Sequence, residues 1–357
     1  MIQYLGMDET ILTPRQQFLI NLVSSGNGVT SKYLEEQTQG KLPASKPTIA
    51  RDLAFLAQKK LIKVVGKARQ TRYFPAGDNP LLKYFDLDKY FETDPDKRLN
   101  AKTAFDPKVF SHLKNLFSEN EIRETLKQNK SFSQESQKNG KEIYLKELER
   151  FIIELSWKSS KIEGNTYDLL DTEVLLKQGI EAEGHSKDEA LMILNHKRAF
   201  EEILAHKNTF KKITLSQVLQ LHNFLVKGLD VSTGIRTKTV GITGTVYQPL
   251  GNQWQIRENL EKLIKVINSL KFPLEKALVT VAGLSYLQPF VDGNKRTARI
   301  LANAILLAWD YYPLSYRSVD EKVYKKAVVL FYEQNSLFYL KKILVDQYNF
   351  ALRTYFK

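Results

Sequence analysis

The residues best placed to do chemistry in this chain lie in one stretch, Gln288-Pro-Phe-Val-Asp-Gly-Asn-Lys-Arg-Thr-Ala-Arg299. Asp292, Gly293 and Asn294 are turn formers, and Gly293 takes positive φ at no steric cost. The run from Arg296 to Trp309 is rich in Ala and Leu and predicts a buried helix. The free N–H groups and positive dipole end of that helix would face the turn, an arrangement suited to a phosphate. Arg296 and Arg299, three residues apart, sit side by side on one helical face. Each guanidinium can hold a phosphate in a planar fork.

Two further segments extend this pattern. In Ser159-Ser-Lys-Ile-Glu-Gly-Asn165, an apolar run (Ile152, Ile153, Leu155, Trp157) reads as a helix stopped at Gly164, leaving Glu163 at its end. Between Gly234 and Pro249, Val240, Ile242, Val246 and Tyr247 flank Gly244 in a β-rich stretch that predicts a hairpin.

Together the three segments resemble the Fic (Fido) family, whose members commonly transfer AMP from ATP to a protein hydroxyl. Its signature, His-x-Phe-x-Asp/Glu-Gly-Asn-Gly/Lys-Arg-x-x-Arg, is matched at Phe290, Asp292, Gly293, Asn294, Arg296 and Arg299. The family's histidine, the general base for the target hydroxyl, is Gln288 here. Glutamine has no titratable group near neutrality, and general-base catalysis is worth roughly 10²–10⁴-fold. The resemblance thus implies an impaired transfer. Lys295 resembles the Doc branch, which transfers phosphate, but that branch usually lacks the second arginine. AMP and phosphate transfer both stay open.

The same resemblance implies the remaining roles. Asp292 would hold Mg2+ on the phosphates of ATP, and Gly293, Asn294, Lys295, Arg296 and Arg299 would bind the nucleotide. Ser159, Glu163 and Gly164 fit the family's inhibitory motif, in which the glutamate pairs with the second arginine and blocks the γ-phosphate. Val240, Ile242, Gly244 and Tyr247 would belong to a flap that holds a target protein by strand pairing.

Ahead of these segments, residues 13–76 carry a different pattern. A capping Thr13 and Pro14 open a helix to about Val23, and a turn Ser24–Gly28 follows. A second helix runs from about Thr30 to Gly40, and a third begins near Ser45 with Ile49, Leu53 and Leu56 as its apolar stripe. Two short strands, 61–65 and 71–74, flank a basic tip. The arrangement resembles winged helix-turn-helix domains of bacterial regulators. In that case Lys46, Thr48 and Arg51 on the third helix, with Lys67, Arg69 and Arg72 on the wing, would meet DNA. A winged helix used for protein contacts or for pairing as a homodimer is the alternative.

The chain has 357 residues, 43% of them hydrophobic, no cysteine, and a net charge of +13. Residues 1–76 hold 11 Lys/Arg against 5 Asp/Glu, an asymmetry that favours an acidic partner. The missing cysteines exclude disulfides and thiolate chemistry, and no spaced His/Cys cluster suggests zinc. No apolar run spans a membrane and no signal peptide is visible, so no membrane partner and a cytoplasmic location are expected.

The fold class expected is mainly α: a winged-helix domain (1–76), a helical connector (77–145) and a Fic-type helical core with a β-hairpin flap (146–357). Three functions remain: a DNA-binding regulator with an impaired nucleotide site, an active transferase restrained by Glu163, or a structural interaction module.

Overall fold

The computed structural model describes residues 12–25, 28–59, 61–75, 79–129, 132–135 and 140–356. The start of the expected first domain (1–11) and the turn residues Gly26 and Asn27 lie outside them. The chain divides into two compact units, 1–93 and 94–357.

In the first unit the order is α1 (Pro14–Ser25), β1 (Val29–Thr30), α2 (Ser31–Lys41), α3 (Lys46–Gln58), β2 (Ile62–Val65), β3 (Arg72–Pro75) and a short α4 (Leu87–Phe91). The sheet has the order β1-β3-β2, antiparallel throughout, with Val65 opposite Arg72. β1 is only two residues long, too short to show any periodicity in sequence. Leu19, Ile20, Val23, Leu34, Ile49, Leu53, Leu56 and Ile62 form the core, and Tyr84 packs against it. Asp52 on α3 is tied to α1 by Arg15 Nε at 2.5 Å and Gln16 Nε2 at 2.9 Å. At the tip between β2 and β3, Gly66 has φ +87°, and a Cβ there would stand 2.5 Å from the Gln70 carbonyl oxygen. The tight tip requires glycine.

The expected connector does not form a separate layer. Residues 79–93 pack with the first unit and 94 onward with the second. The reason lies in specific anchors: Tyr84 joins the first core. Asp106 N–H donates to the Tyr286 hydroxyl at 2.9 Å, and Leu116 N–H to Glu275 Oε1 at 2.6 Å.

The second unit is helical: α5 (Glu119–Gln128), α6 (Phe132–Glu135), α7 (Lys141–Ile162), α8 (Leu169–Gln178), α9 (Lys187–His206), α10 (Leu215–Val226), α11 (Gln253–Ser269), α12 (Pro273–Leu287), α13 (Asn294–Ala308), α14 (Glu321–Gln334) and α15 (Phe338–Thr354). Helix starts follow from capping: Ser186 with Glu189 closes a capping box on α9, and Thr214 with Gln217 another on α10. All of α12 is buried, and so is α13 apart from Lys295. They form the central pair, and the other helices wrap it. Burial on every side puts these two helices in the middle of the core, their polar residues included. No helix among the described residues is long and apolar enough to cross a membrane.

Gly283 lets α11 approach α12: a Cβ there would lie 2.4 Å from Cδ1 of Leu263, itself fully buried. Gly283→Val should therefore lower stability by about 1–3 kcal/mol through overpacking. The check is a lower urea midpoint at unchanged denaturant slope.

Candidate active site

α12 ends at Gln288, which adopts φ 50°, ψ 60° as its C-cap. That left-handed conformation is uncommon outside glycine, and here three contacts hold it. The Gln288 carbonyl accepts from Arg236 Nε at 2.7 Å. Its Nε2 donates to the Ser285 carbonyl at 2.7 Å and to the Tyr332 hydroxyl at 3.2 Å. Since a carbonyl only accepts, the amide nitrogen must lie on the Ser285 side.

The loop that follows is closed by Asn294, whose Oδ1 accepts from Phe290 N–H and whose Nδ2 donates to the Phe290 carbonyl, both at 2.9 Å. Gly293, at φ 76°, is the N-cap of α13. His222 on α10 stacks flat on Phe290 at 3.7 Å, and its Nε2–H donates to the Asp292 carbonyl at 3.0 Å. Burial lowers its pKa to about 4, so the ring is neutral near pH 7. None of these contacts uses the N–H groups at the start of α13.

The charged side chains converge on that helix start. Arg296 is buried; one terminal nitrogen donates to Asp292 Oδ2 at 2.9 Å and the other, NH1, has no partner among the described residues. Arg299 is fully buried, with Nε donating to Ser159 Oγ at 3.0 Å and NH2 to the Ser159 carbonyl at 2.8 Å. Its NH1 meets Glu163 Oε1 at 2.8 Å, and Lys295 Nζ reaches Glu163 Oε2 at 3.4 Å. Burial pushes the Glu163 pKa up, but the Arg299 guanidinium and then Lys295 override it and bring it to about 2. Glu163, Gln288, Asp292, Arg296, Lys325 and Tyr332 are among the residues lining one cleft of about 400 Å³.

The segment expected to be a hairpin flap crosses this cleft, with Val240, Gly241, Ile242 and Thr243 in its lining. It turns at Thr243–Gly244 but forms no strand ladder of its own; its one bridge joins Gln248 to Ala104. Its polar groups are taken by neighbours instead. Arg236 NH1 donates to the Lys238 carbonyl at 2.7 Å, and NH2 reaches the Leu250 carbonyl. Arg98 donates to the Gly244 carbonyl at 3.0 Å, and Thr245 to Glu333 at 2.6 Å. Tyr247 does not face the cleft: it is buried, and its hydroxyl donates to the Tyr286 carbonyl at 2.7 Å.

Sequence reasoning brought out Gln288, Asp292, Gly293, Asn294, Lys295, Arg296, Arg299, Ser159 and Glu163, and the fold gathers all nine. Gly164 takes φ +107° just past α7. Arg236, Tyr332, His222 and Lys325 were not assigned there. They come from three elements far from the motif in sequence, with Lys325 and Tyr332 both on α14, and no spacing links them to it.

In the first unit, Lys46, Arg51, Lys67 and Arg72 are exposed. Lys46 pairs with Glu35 at 3.3 Å, and Thr48 Oγ1 lies 2.8 Å from Ser45 Oγ. Arg69 falls on the turn Ala68–Gln70 between β2 and β3.

A carboxyl with a depressed pKa adds stability that is complete above its ordinary pKa, about 4.3, and fades as pH falls towards the folded value. Glu163→Gln should therefore cost about 1–3 kcal/mol at pH 7. The gap from the unsubstituted protein should close as pH drops from about 4.5 towards 2, read as urea midpoints across that series.

Residues 212–306 match the Fic/DOC family. A protein adenylyltransferase Fic of Drosophila ananassae is 30% identical over 156 residues, 43% of this chain and 31% of that one. Its namesake in Aedes aegypti is 31% identical over 159 residues, covering 43% and 32%. The match thus spans about a third of these relatives' length. Among solved structures, Fic-1 (aa134 - 508) from C. elegans superposes with a TM-score of 0.54 at 16% identity, over 96% of this chain and 97% of that one. A Fic domain containing signaling protein from Bacteroides thetaiotaomicron gives 0.52 at 20% identity, over 65% and 95%. At such identities the structures speak for the fold, and the family match speaks for the domain: this chain carries a Fic/DOC domain.

Proposed function

We propose that the second unit binds ATP with Mg2+ in a closed, self-restrained site that transfers AMP poorly, and that the first unit binds DNA, making the chain a nucleotide-responsive transcriptional regulator of the cytoplasm. The observation that carries the nucleotide reading is the Glu163 carboxylate held between Arg299 and Lys295 at the start of α13. A carboxylate occupies the ground a phosphate oxygen would use, because both are gripped by the same guanidinium fork. Arg296, with an unpartnered buried N–H, supplies a second grip.

The residues fit a divalent ion held jointly with phosphate. Asp292 is an exposed carboxylate beside the helix start, and no cluster of three or more His, Cys, Asp or Glu that could cage a metal occurs among the described residues. Mg2+ typically takes one or two carboxylates and completes its shell with phosphates and water. When bound there it would neutralise phosphate charge, with Asp292 as its protein ligand.

AMP transfer joins a hydroxyl oxygen to the α-phosphorus, breaks the α–β phosphoanhydride and releases pyrophosphate. The hydroxyl proton needs an acceptor. The Gln288 amide cannot take it; Tyr332 beside it is buried, which keeps its phenol protonated; and His222 is engaged with the Asp292 carbonyl. Binding without efficient turnover follows.

For the first unit, support comes from three helices followed by an antiparallel pair with a glycine-dependent basic tip, the order of a winged helix. Arg51 on α3 and Lys67 and Arg72 on the wing are exposed and suited to phosphates.

Glu163→Gly should bind ATP·Mg2+ about 10-fold more tightly or better in titration calorimetry, the range for one ion contact. Labelled ATP should leave no label on the protein or on a lysate, and Gln288→His in that background should introduce it. Reproducible label with Gln288 in place would instead favour the restrained but active transferase.

A duplex from upstream of the chain's own gene should shift in a gel at low salt, where phosphate contacts are strongest. Arg51→Ala with Arg69→Ala should abolish the shift. Failure to bind DNA at low salt would leave the first unit a protein-contact or dimerisation module.

A further inference from the structure

Two of the three nitrogens of Arg299 donate to Ser159, and Ser159 in turn touches a residue outside every motif, His196 on α9. His196 is fully buried. Its Nδ1 lies 3.0 Å from the Met192 carbonyl oxygen one turn back, and its Nε2 lies 2.8 Å from Ser159 Oγ. A carbonyl oxygen only accepts, so Nδ1 carries a proton. Burial, reinforced by the charges of Arg296 and Arg299, lowers the ring's pKa to about 3 against the opposing influence of the Met192 carbonyl and Glu163. Near neutral pH, Nε2 is therefore a bare acceptor.

The Ser159 hydroxyl must then donate to Nε2, which leaves its oxygen lone pairs for Arg299 Nε at 3.0 Å. With the ring neutral, every direction in the chain follows, because a guanidinium only donates and a carbonyl only accepts. Arg299 Nε–H donates to Ser159 Oγ, Ser159 O–H to His196 Nε2, and His196 Nδ1–H to Met192 O. Meanwhile Arg299 NH2 is held by the Ser159 carbonyl at 2.8 Å. Only NH1, on Glu163, remains to be exchanged.

We infer that His196 is a positioning residue of the anion site: acting through the Ser159 hydroxyl, it fixes the plane of the Arg299 guanidinium so that NH1 alone passes between Glu163 and a phosphate. The inference rests on the nucleotide reading above and adds to it a residue from α9. When Glu163 withdraws, the guanidinium keeps two of its three anchors and stays aimed. A preset fork loses less freedom on binding than one that must be ordered by its ligand.

The Glu163→Gly background, with NH1 free, is where the effect is read. His196→Phe keeps a ring in the cavity and removes both nitrogens. ATP affinity measured by calorimetry should fall about 10-fold, the range for one hydrogen bond to a charged group. The loss should be larger for ATP than for AMP, which brings fewer phosphates. Ser159→Ala should produce a loss of similar size, and adding His196→Phe to it should change nothing more, since the histidine acts only through the hydroxyl. His196→Gln, whose amide can bridge the same carbonyl and hydroxyl, should recover much of the affinity. Additive losses, or equal losses for ATP and AMP, would mean that His196 only packs, and would overturn the inference.

If Glu163→Gly binds no ATP at all, the nucleotide reading itself is wrong. The positioning chain is then decided by nitrogen-15 NMR of the histidine rings in the unsubstituted protein. A neutral Nδ1–H tautomer from about pH 5 to 8, with an Nε2 resonance that moves in Ser159→Ala, supports the chain. An imidazolium or an Nε2–H tautomer overturns it.

Discussion

A guanidinium with no exposed surface needs a partner for every N–H, and Arg299 has one for each of its three nitrogens. Its charge cannot be removed by titration, so the surrounding helices must be arranged around it. The last turns of α7 supply Ser159 and Glu163, and α14 and its approach supply the rings of Tyr324 and Tyr316 at 5.5 and 6.0 Å. The contact that closes the site is thus also a contact that seats α7 against α13. Removing the Glu163 carboxylate with nothing in its place would leave a buried cation short of a partner, at a cost of about 3–5 kcal/mol.

A second constraint acts at Gln288. Its carbonyl is one of three that Arg236 gathers, and the other two belong to the ends of the flap, at Lys238 and Leu250. One buried guanidinium therefore fixes the head of the motif and the roots of the flap together. Arg98, held by Glu333, secures the tip at Gly244. A site braced this way is set before any ligand arrives. The glutamine itself is held by its amide nitrogen in a buried contact, so the brace persists without a base at that position.

In the first unit the charges are sorted by face. Asp52, the acidic residue of α3, is turned inward to Arg15 and Gln16, which leaves Lys46 and Arg51 to set the sign of the helix's outer face. The apolar stripe of Ile49, Leu53 and Leu56 fixes which way the helix faces.

Much of the anion site could be read from sequence because it is local. Asp292 to Arg299 lie within two helical turns, so turn chemistry and helical spacing suffice to place them, and capping residues announce most of the helices of the second unit. What sequence could not decide is long-range. Whether Glu163 meets Arg299, 136 residues away, depends on how α7 packs on α13, and only the resemblance to a family suggested it. The flap read as a hairpin because its β-branched residues favour extended backbone. It is irregular because Arg236 and Arg98 capture backbone carbonyls a ladder would use, and Tyr247 is drawn into the core by aromatic stacking with Tyr286 and Tyr332. His196 and His222 look like lone helical histidines until packing brings one to Ser159 and the other to Phe290. Sequence determined the residues and their local conformations, whereas tertiary packing decided their partners, because a buried charge or hydroxyl is defined by what folding places opposite it.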